Sequence, residues 1–516
     1  MSNPLLVVEK LSKTFGEERA LTDIDLVINE GEVRCLAGEN GSGKSTLVKI
    51  VSGVYFATEG RITVSGQEII ENDPRAAISA GVQVIYQDLS LFDHLTVAEN
   101  IAINAMLHEG SNYVNRRQME EIATKQLERI RVELPLDARV GSLSVANKQI
   151  VAIARALSMD AKLLFMDEPT TALTTKEVKR LLAIIHELKE DGLAVVFISH
   201  KLDEVFDIAD SITVFRDGRK VGDFEAEELD SASLSFHMTG REVLHRNYQR
   251  KPREDDATRA PLLEVQNLTR QSNYKEVSFE VRPGDILGLT GLLGAGRTEL
   301  ALSLYGLNAP DSGEIYMDGE RVQIENPWDA LDLQIALVPE DRAVQGLFLE
   351  QSIASNVSAP KLDSLLTKLR LLDTRSERQL ARHTIDHMAV NNKNIDALVG
   401  ILSGGNQQKV VIGKWIATEP KLFILDSPTV GIDIGSKAEI YDHIQALAAS
   451  GIAVILISDE PEEIYVNCNR VVVMHEGDVI AKFDEEDRNR PHFQEQLADV
   501  IANPTNVATN GEAGVR

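Results

Sequence analysis

Residues 38–47 read GENGSGKSTL, and residues 291–300 read GLLGAGRTEL. Each stretch follows an apolar run of the kind that forms a buried strand, and each opens an amphipathic segment. The first fits the pattern G-x-x-x-x-G-K-[ST], in which glycines let backbone N–H groups close around phosphate oxygens in front of a helix N-terminus. The sequence therefore predicts a phosphate-binding loop made of Gly38, Glu39, Asn40, Gly41, Ser42, Gly43, Lys44, Ser45 and Thr46.

The chemistry expected of this loop depends on charge and on a second segment. Lys44 is expected to neutralise the β- and γ-phosphates, and Ser45 to hold Mg²⁺. The apolar run LLFMD at 163–167 ends in Asp167, which suits the orientation of Mg²⁺. Glu168 follows directly and is placed to polarise an attacking water. Together these residues predict the hydrolysis of a nucleoside triphosphate.

The chain is internally duplicated. Lys44 and Arg297 are 253 residues apart (297 − 44), as are Gln87 and Glu340 (340 − 87). Further along, three pairs are each 259 residues apart: Ser144 with Ser403, Asp167 with Asp426, and His200 with Asp459. One net insertion of six residues therefore lies between Glu340 and Ser403, in a mostly helical stretch.

Alternating strand and helix patterns predict an α/β fold with two domains. Continuous apolar runs at 163–167, 194–199, 422–426 and 453–458 are typical of buried parallel strands. Residues 176–192 place Val178, Leu181, Leu182, Ile185 and Leu188 on one helical face. We expect a first domain at 1–245, a polar and proline-containing linker at 246–261, a second domain at 262–503 and a disordered tail at 504–516.

Composition limits the class of protein. The 516 residues carry a formal charge of −27, which argues against a nucleic-acid partner. The sequence contains no apolar run of 18 residues, so we expect no membrane span, and its N-terminus does not resemble an export signal. Only Cys35 and Cys468 are present, which fits a reducing compartment and packing roles. We expect a protein of the cytosol that reaches a membrane only through partner subunits.

These motifs resemble those of the ATP-binding cassette (ABC) superfamily over nearly the whole chain. The resemblance implies two tandem cassettes, each with a mainly parallel sheet, an antiparallel β part and a helical subdomain. It also implies that Gln87 contacts Mg²⁺ and a membrane subunit, that His200 contacts the γ-phosphate, and that Phe15 stacks on adenine. LSGGNQQK, which starts at Leu402, is similar to the superfamily signature. By that resemblance Ser403, Gly404, Gly405 and Gln407 bind the ATP held by the opposite cassette of a head-to-tail pair, formed within one chain or between chains.

The departures from the superfamily pattern predict one active and one degenerate site. The first copy departs only in its signature, LSVANKQ at 143–149, whereas the second departs at its loop lysine, glutamine, catalytic carboxylate and histidine. In a head-to-tail pair all these faults meet at one site. We expect that site to hold nucleotide without hydrolysing it, because a serine hydroxyl cannot act as a general base. Its residues are Gly291, Gly294, Gly296, Arg297, Thr298, Glu340, Asp426, Ser427 and Asp459, with Ser144 of the first copy.

Two fused cassettes and the stretch VPEDRAVQGLFLEQSIASN at 338–356 are similar to ATPase subunits of ribose, galactose, xylose and arabinose importers. The resemblance implies ATP and Mg²⁺ as ligands, two membrane permease subunits and a solute-binding protein as partners, and a peripheral position at the cytoplasmic face of the bacterial membrane. The alternative is a soluble tandem-cassette translation factor. That class implies a long charged insert and a catalytic glutamate in both cassettes, which this sequence does not have.

Overall fold

The computed structural model describes residues 4–16, 18–69, 73–108, 115–170, 173–199, 201–240, 247–250, 260–292 and 294–504. The chain divides into two compact units, Met1–Val243 and Leu244–Arg516. His200 and all of the expected tail except Pro504 lie outside the described residues.

The first unit contains ten strands and eight α-helices among its described residues. The strands are β1 Pro4–Phe15, β2 Glu18–Asn29, β3 Val33–Ala37, β4 Glu59–Val64, β5 Gln67–Glu68, β6 Val82–Ile85, β7 Leu163–Asp167, β8 Ala194–Ile198, β9 Ser211–Arg216 and β10 Arg219–Glu225. The helices are α1 Lys44–Val51, α2 Pro74–Ser79, α3 Val97–His108, α4 Arg116–Arg129, α5 Val145–Leu157, α6 Thr175–Glu190, α7 Leu202–Ile208 and α8 Ser231–Thr239.

The second unit repeats this order, except that two helices follow its last strand where the first unit has one among the described residues. Its strands are β11 Leu263–Arg270, β12 Tyr274–Val281, β13 Ile286–Gly291, β14 Ser312–Met317, β15 Glu320–Val322, β16 Ile335–Val338, β17 Leu422–Asp426, β18 Ala453–Ile457, β19 Arg470–His475 and β20 Asp478–Phe483. Its helices are α9 Arg297–Leu304, α10 Pro327–Asp332, α11 Ile353–Ser358, α12 Thr374–His387, α13 Gly404–Ile416, α14 Ile434–Ser450, α15 Pro461–Asn467, α16 Glu485–Arg488 and α17 Phe493–Ala502.

Each unit has one antiparallel sheet and one mainly parallel sheet. The antiparallel sheets have the orders β2-β1-β4-β5 and β12-β11-β14-β15. The six-stranded sheets have the orders β10-β9-β3-β8-β7-β6 and β16-β17-β18-β13-β19-β20, and in each the last hairpin supplies the antiparallel edge strand. The predicted α/β class and the predicted parts of each cassette are therefore confirmed.

The parallel strands are apolar on both faces because helices or the antiparallel sheet cover both. In β7, Leu164 and Met166 join one hydrophobic cluster, while Leu163 and Phe165 join the other. The four apolar runs predicted as strands coincide with β7, β8, β17 and β18 to within one residue. Helix α6 buries its predicted apolar face, so the periodicity identified this helix correctly.

At the same two positions of the repeat, each copy has one cysteine and one small residue. Cys35 lies on β3, where the second copy has Gly288, and Cys468 follows α15, where the first copy has Ala209. A Cβ built on Gly288 would lie 2.9 Å from the Cys468 sulfur. Both thiols are buried, and burial raises the pKa of Cys35 to about 12. Their role is therefore packing, as expected.

Part of the stretch assigned to the linker packs on the second unit. Tyr248 is 6% exposed and its hydroxyl donates a 2.7 Å hydrogen bond to the Gly284 carbonyl. Arg488 donates to the Tyr248 carbonyl at 2.6 Å, and Arg250 pairs with Asp285 at 3.1 Å. Residues 247–250 therefore have specific contacts that their polar composition did not indicate.

The six-residue insertion is divided between two places. Phe348 and Asn356 make the same reciprocal backbone–amide hydrogen bonds as Phe92 and Asn100, at an offset of 256 (348 − 92; 356 − 100). The offset reaches 259 at Val399, the equivalent of Val140 (399 − 140). Three residues are thus added around a π-helical turn at Arg342–Gly346, and three more beyond Asn356.

Within the described ranges, the helices include none that combines the length and the apolar character needed to span a bilayer.

Candidate nucleotide site

The phosphate loop of the first unit connects β3 to α1 and has the backbone conformation that the motif predicts. Gly38, Gly41 and Gly43 have φ values of 153°, 84° and 103°, a region that L side chains rarely adopt. A Cβ on Gly43 would lie 2.5 Å from the Leu21 side chain, because the β1–β2 hairpin packs against the loop. Ser42 is buried, whereas Asn40, Gly41 and Ser45 are exposed, with Glu39 and Thr46 partly so.

Lys44 lies over its own loop. Its ammonium donates to the carbonyls of Gly38 at 2.7 Å and Glu39 at 2.9 Å, and reaches the Ser42 hydroxyl at 3.4 Å. The positive charge is therefore held at the loop by carbonyl groups. A phosphate that enters the loop would offer this cation a stronger, charge-assisted partner.

Asp167 and Glu168 lie at the carboxyl end of β7, and in the same sheet β8 lies between β7 and β3, the strand that precedes the loop. Burial raises the pKa of Asp167, the Glu168 carboxylate raises it further, and Lys44 opposes the rise. The three side chains therefore interact electrostatically. Glu168 has a φ of 48°, which is strained for a residue with a side chain, and its N–H donates to the Ile198 carbonyl at 2.9 Å.

Gln87 and Phe15 lie at other edges of this region. Gln87 is exposed two residues after β6. Phe15 ends β1 and is 43% exposed; its ring contacts Tyr55 edge-on, with centroids 5.3 Å apart, and the Lys13 ammonium lies 4.8 Å from its centroid. The structure thus places Lys44, Asp167 and Glu168 together and leaves an exposed aromatic ring on the hairpin that covers the loop.

A buried carboxylate that the sequence analysis missed connects two of these segments. Glu204 on α7 accepts hydrogen bonds from the hydroxyls of Thr170 at 2.6 Å and Ser199 at 2.8 Å. Thr170 follows Glu168 by two residues, and Ser199 precedes His200 and accepts from the Lys201 N–H at 3.1 Å. Glu204 therefore fixes the segments on either side of the expected catalytic residues.

The second unit repeats this network at an offset of 259. Glu463 accepts from Thr429 at 3.0 Å and from Ser458 at 2.5 Å. All three residues lie 259 positions after their equivalents (463 − 204; 429 − 170; 458 − 199). This repeat was the signal in the sequence that could have identified the network.

The second unit's phosphate loop keeps the glycine geometry of the first. Gly291, Gly294 and Gly296 have φ values of 149°, 80° and 91°. Arg297 is 8% exposed, and burial lowers its pKa while the carboxylates of Asp459, Asp426 and Glu340 oppose that effect. Burial raises the pKa of Asp426 to about 6, although a hydrogen bond with Thr298 lowers it in part.

Ser427 repeats the backbone of Glu168. Its φ is 47°, and its N–H donates to the Ile457 carbonyl at 2.9 Å, as the Glu168 N–H does to Ile198. The second unit therefore presents a hydroxyl at the place where the first presents a carboxylate. This hydroxyl lies 3.5 Å from the Asp426 carboxylate.

The two signature segments differ at the start of their helices. Ser144 caps α5 by accepting a 3.3 Å hydrogen bond from the Asn147 backbone N–H. Ser403, before α13, makes no such cap and accepts from the Asn406 side-chain amide at 2.9 Å. The first N–H groups of α13 are thus not bonded to its N-cap side chain, which leaves them suited to an anion.

The two signature glycines and Gln407 lie in close contact with their own unit. A Cβ on Gly404 would lie 2.7 Å from the Arg342 guanidinium, and one on Gly405 would lie 2.4 Å from the Ser436 hydroxyl. The Gln407 side chain donates to the Val399 carbonyl at 3.4 Å. These contacts explain in part why glycine occupies both positions.

Comparison with known proteins finds the same duplication. The sequence profile of the ABC transporter family matches residues 21–171 and 274–430. The chain is 41% identical over 480 residues to a putative ribose/galactose/methyl galactoside import ATP-binding protein of Pseudomonas savastanoi, covering 93% of this chain and 90% of that protein. It is 42% identical over 473 residues to ribose import ATP-binding protein RbsA 2 of Rhizobium johnstonii, covering 92% and 91%. It is 38% identical over 480 residues to RbsA of Bacillus licheniformis, covering 93% and 96%. Because the profile matches once in each unit and covers both phosphate loops, the chain belongs to the ABC transporter family as an ATP-binding protein with two cassettes.

Proposed function

We propose that this chain hydrolyses ATP to drive the import of ribose or a related monosaccharide through a membrane permease. The observation that carries the proposal is the carboxylate of Glu168, a residue with a strained backbone, beside Asp167 and the phosphate loop of the first unit. The relatives described above carry the names of ribose or galactose import proteins and match this chain along more than nine-tenths of its length. The solute class is transferred from those names.

The first cassette has the groups that ATP hydrolysis needs. Lys44 and the loop N–H groups would hold the β- and γ-phosphates, and Glu168 would polarise the attacking water. The hydroxyl of Ser45, the carboxylate of Asp167 and the amide oxygen of Gln87 form an oxygen-only donor set, which suits Mg²⁺. Bound Mg²⁺ would neutralise charge on the phosphates. His200 would add a contact to the γ-phosphate, by resemblance to the family.

An intact signature would complete this site. We assign that role to Ser403, Gly404, Gly405 and Gln407, supplied by the same chain or by a second copy. The uncapped start of α13 supports the assignment, because its N–H groups and the helix dipole favour an anion. Ser144, whose hydroxyl already caps α5, would be the poorer partner.

The second cassette would bind nucleotide without turnover. Its Ser427 shares the backbone geometry of Glu168, but a hydroxyl is hardly ionised at neutral pH and cannot serve as the base. Arg297 keeps a positive charge in the loop. Asp459 brings an extra carboxylate close to it, which disfavours a second anion unless a cation balances the charge.

Surfaces near Gln87 and Glu340 would receive the cytoplasmic segments of two permease subunits, which would also connect the chain to a solute-binding protein. The protein would then be peripheral to the cytoplasmic face of the bacterial membrane. Nucleic acid is not a proposed partner, because the formal charge is −27.

The test is ATP hydrolysis by the full chain reconstituted with its permease in lipid. Glu168→Gln should abolish turnover, because it removes the base but keeps the size of the side chain. The matched control is Ser427→Gln, at the equivalent backbone position of the second unit, which should retain most of the activity. Substantial hydrolysis by the Glu168→Gln variant would refute the site assignment, and failure of any permease to stimulate hydrolysis would refute the transport role.

A further inference from the structure

The two cassettes differ on the surface beside the phosphate loop. In the first, Phe15 and Tyr55 form an aromatic pair at the end of the β1–β2 hairpin, and the ring of Phe15 is 43% exposed. This hairpin contacts the loop through Ala20 and Leu21, which surround Gly43. An exposed aromatic ring in this position can stack on the base of a nucleotide held by the loop.

The equivalent of Tyr55 in the second cassette is Asn308. The N–H of Tyr55 donates to the Lys49 carbonyl at 2.9 Å, and the N–H of Asn308 donates to the Leu302 carbonyl at 3.4 Å. Both donors and both acceptors are 253 residues apart (308 − 55; 302 − 49). The aromatic ring that supports Phe15 is therefore replaced by a short amide.

Phe15 itself has no equivalent. In the first hairpin Lys13 pairs with Leu21 and encloses seven residues, 14–20. In the second hairpin Arg270 pairs with Tyr274 and encloses three, Gln271, Ser272 and Asn273. The hairpin is four residues shorter, and none of the enclosed residues is aromatic.

The shorter turn packs against the rest of the second cassette. Arg270 donates to the Ala309 carbonyl at 2.6 Å and to the Asn273 side chain at 3.0 Å. A Cβ on Gly296 would lie 2.3 Å from the Asn273 carbonyl, so the turn lies directly against the phosphate loop. The equivalent cation of the first cassette, Lys13, instead lies over the Phe15 ring.

The phosphate end of the second cassette is nevertheless preserved. Its three loop glycines keep the conformation of the first loop, and α9 starts directly after them. Arg297 is buried, and its Nη1 atom has no hydrogen-bond partner within the part of the chain that the structure describes. A buried guanidinium N–H without a partner is costly, and a phosphate oxygen is the partner that its geometry fits best.

We propose that the second cassette binds a nucleotide through its triphosphate chain with little contribution from the base, whereas in the first cassette the base stacks on Phe15 and adds to the affinity. This inference rests on the proposed function, in which the second cassette holds nucleotide without hydrolysis. Stacking of one base on an aromatic side chain raises affinity roughly five- to 150-fold. The second cassette lacks this contribution, so it should bind ATP and ribose 5-triphosphate, which has no base, with affinities within about threefold of each other.

The experiment measures equilibrium binding of Mg-ATP and of Mg-ribose 5-triphosphate to the full chain carrying Glu168→Gln, which prevents turnover. Adding Lys44→Ala weakens the first site, and adding Arg297→Ala in a separate variant weakens the second. The Lys44→Ala chain should bind the two ligands within about threefold of each other, and the Arg297→Ala chain should bind ATP about fivefold or more tightly than ribose 5-triphosphate. A tenfold preference for ATP in the Lys44→Ala chain would overturn the inference.

A second measurement avoids the buried arginine. Phe15→Ala in the otherwise unchanged chain should lower kcat/KM for ATP by about fivefold or more, because hydrolysis reports the first cassette. An unchanged kcat/KM for ATP would overturn the assignment of Phe15 as the surface on which the base stacks. Complete loss of binding in the Lys44→Ala chain would overturn the inference but not the proposed import function, which instead fails if Glu168→Gln still hydrolyses ATP.

Discussion

The stability of the second unit should vary with pH because of the carboxyl group of Glu463. Burial raises the pKa of this carboxyl group from 4.5 to about 7, the Glu460 carboxylate adds to the rise, and Lys437 with the hydroxyls of Ser458 and Thr429 opposes it. Below pH 4.5 the group is protonated in both the folded and the unfolded chain. Between pH 4.5 and pH 7 the unfolded chain releases the proton while the folded chain retains it, so stability falls as the pH rises.

The magnitude follows from the pKa change. A tenfold change in proton affinity corresponds to about 1.4 kcal/mol, so the free energy of unfolding falls by about 3 kcal/mol in total, most of it between pH 5 and pH 7. Glu463→Gln removes this titration and still offers an amide oxygen and an N–H to the two hydroxyls. The variant should therefore gain stability relative to wild type by about 2 kcal/mol between pH 5 and pH 8.

The assay is urea unfolding followed by tryptophan fluorescence. Both tryptophans, Trp328 and Trp415, lie in the second unit, and Trp415 is packed edge-on against Tyr305 with ring centroids 5.9 Å apart. Glu204→Gln makes the same change in the first unit and should shift this transition far less. A stability difference between Glu463→Gln and wild type that stays constant from pH 5 to pH 8 would refute the reasoning.

Two further predictions concern packing in the second unit, and the same fluorescence assay checks both. Gly288→Ala should lower the free energy of unfolding by about 1–3 kcal/mol, because the new Cβ lies 2.9 Å from the Cys468 sulfur. Adding Cys468→Ala should restore much of that loss, since the first unit has Cys35 and Ala209 at the equivalent positions; additive losses would contradict this. Tyr248→Phe should cost about 1 kcal/mol by removing the hydrogen bond to Gly284, and an unchanged midpoint would show that residues 247–250 do not anchor the second unit.

The phosphate loops could be predicted from the sequence because their conformation is set by a few neighbouring residues. Gly38, Gly41 and Gly43 have φ values of 84° or more, which side chains with a Cβ rarely adopt, so the spacing of these glycines reflects the shape of the loop. The apolar runs were equally informative, because strands buried on both faces require continuous apolar residues. The α/β class, the duplication and the position of Asp167 at the end of β7 followed from such patterns.

Side-chain pairs between distant elements were decided by tertiary structure. Glu204 looks like a surface residue of an amphipathic helix until α7 packs its carboxylate onto Thr170 and Ser199. Tyr248 lies in a polar stretch typical of a linker, yet the second unit buries it. A charged or polar residue is stable in the interior only when specific partners satisfy it, and sequence periodicity does not identify those partners.

The difference between the two cassettes illustrates both what the sequence determines and what the tertiary structure determines. The sequence by itself determined that the second copy has Arg297 and Ser427 in place of Lys44 and Glu168. The offset of 253 also placed Asn308 at the position of Tyr55, and the matching hydrogen bonds agree with it. Only the strand register showed that the second hairpin is four residues shorter. The physical reason is that catalytic motifs are contiguous in the chain, whereas a surface for a nucleotide base is assembled from separate segments whose alignment depends on how the strands and helices pack.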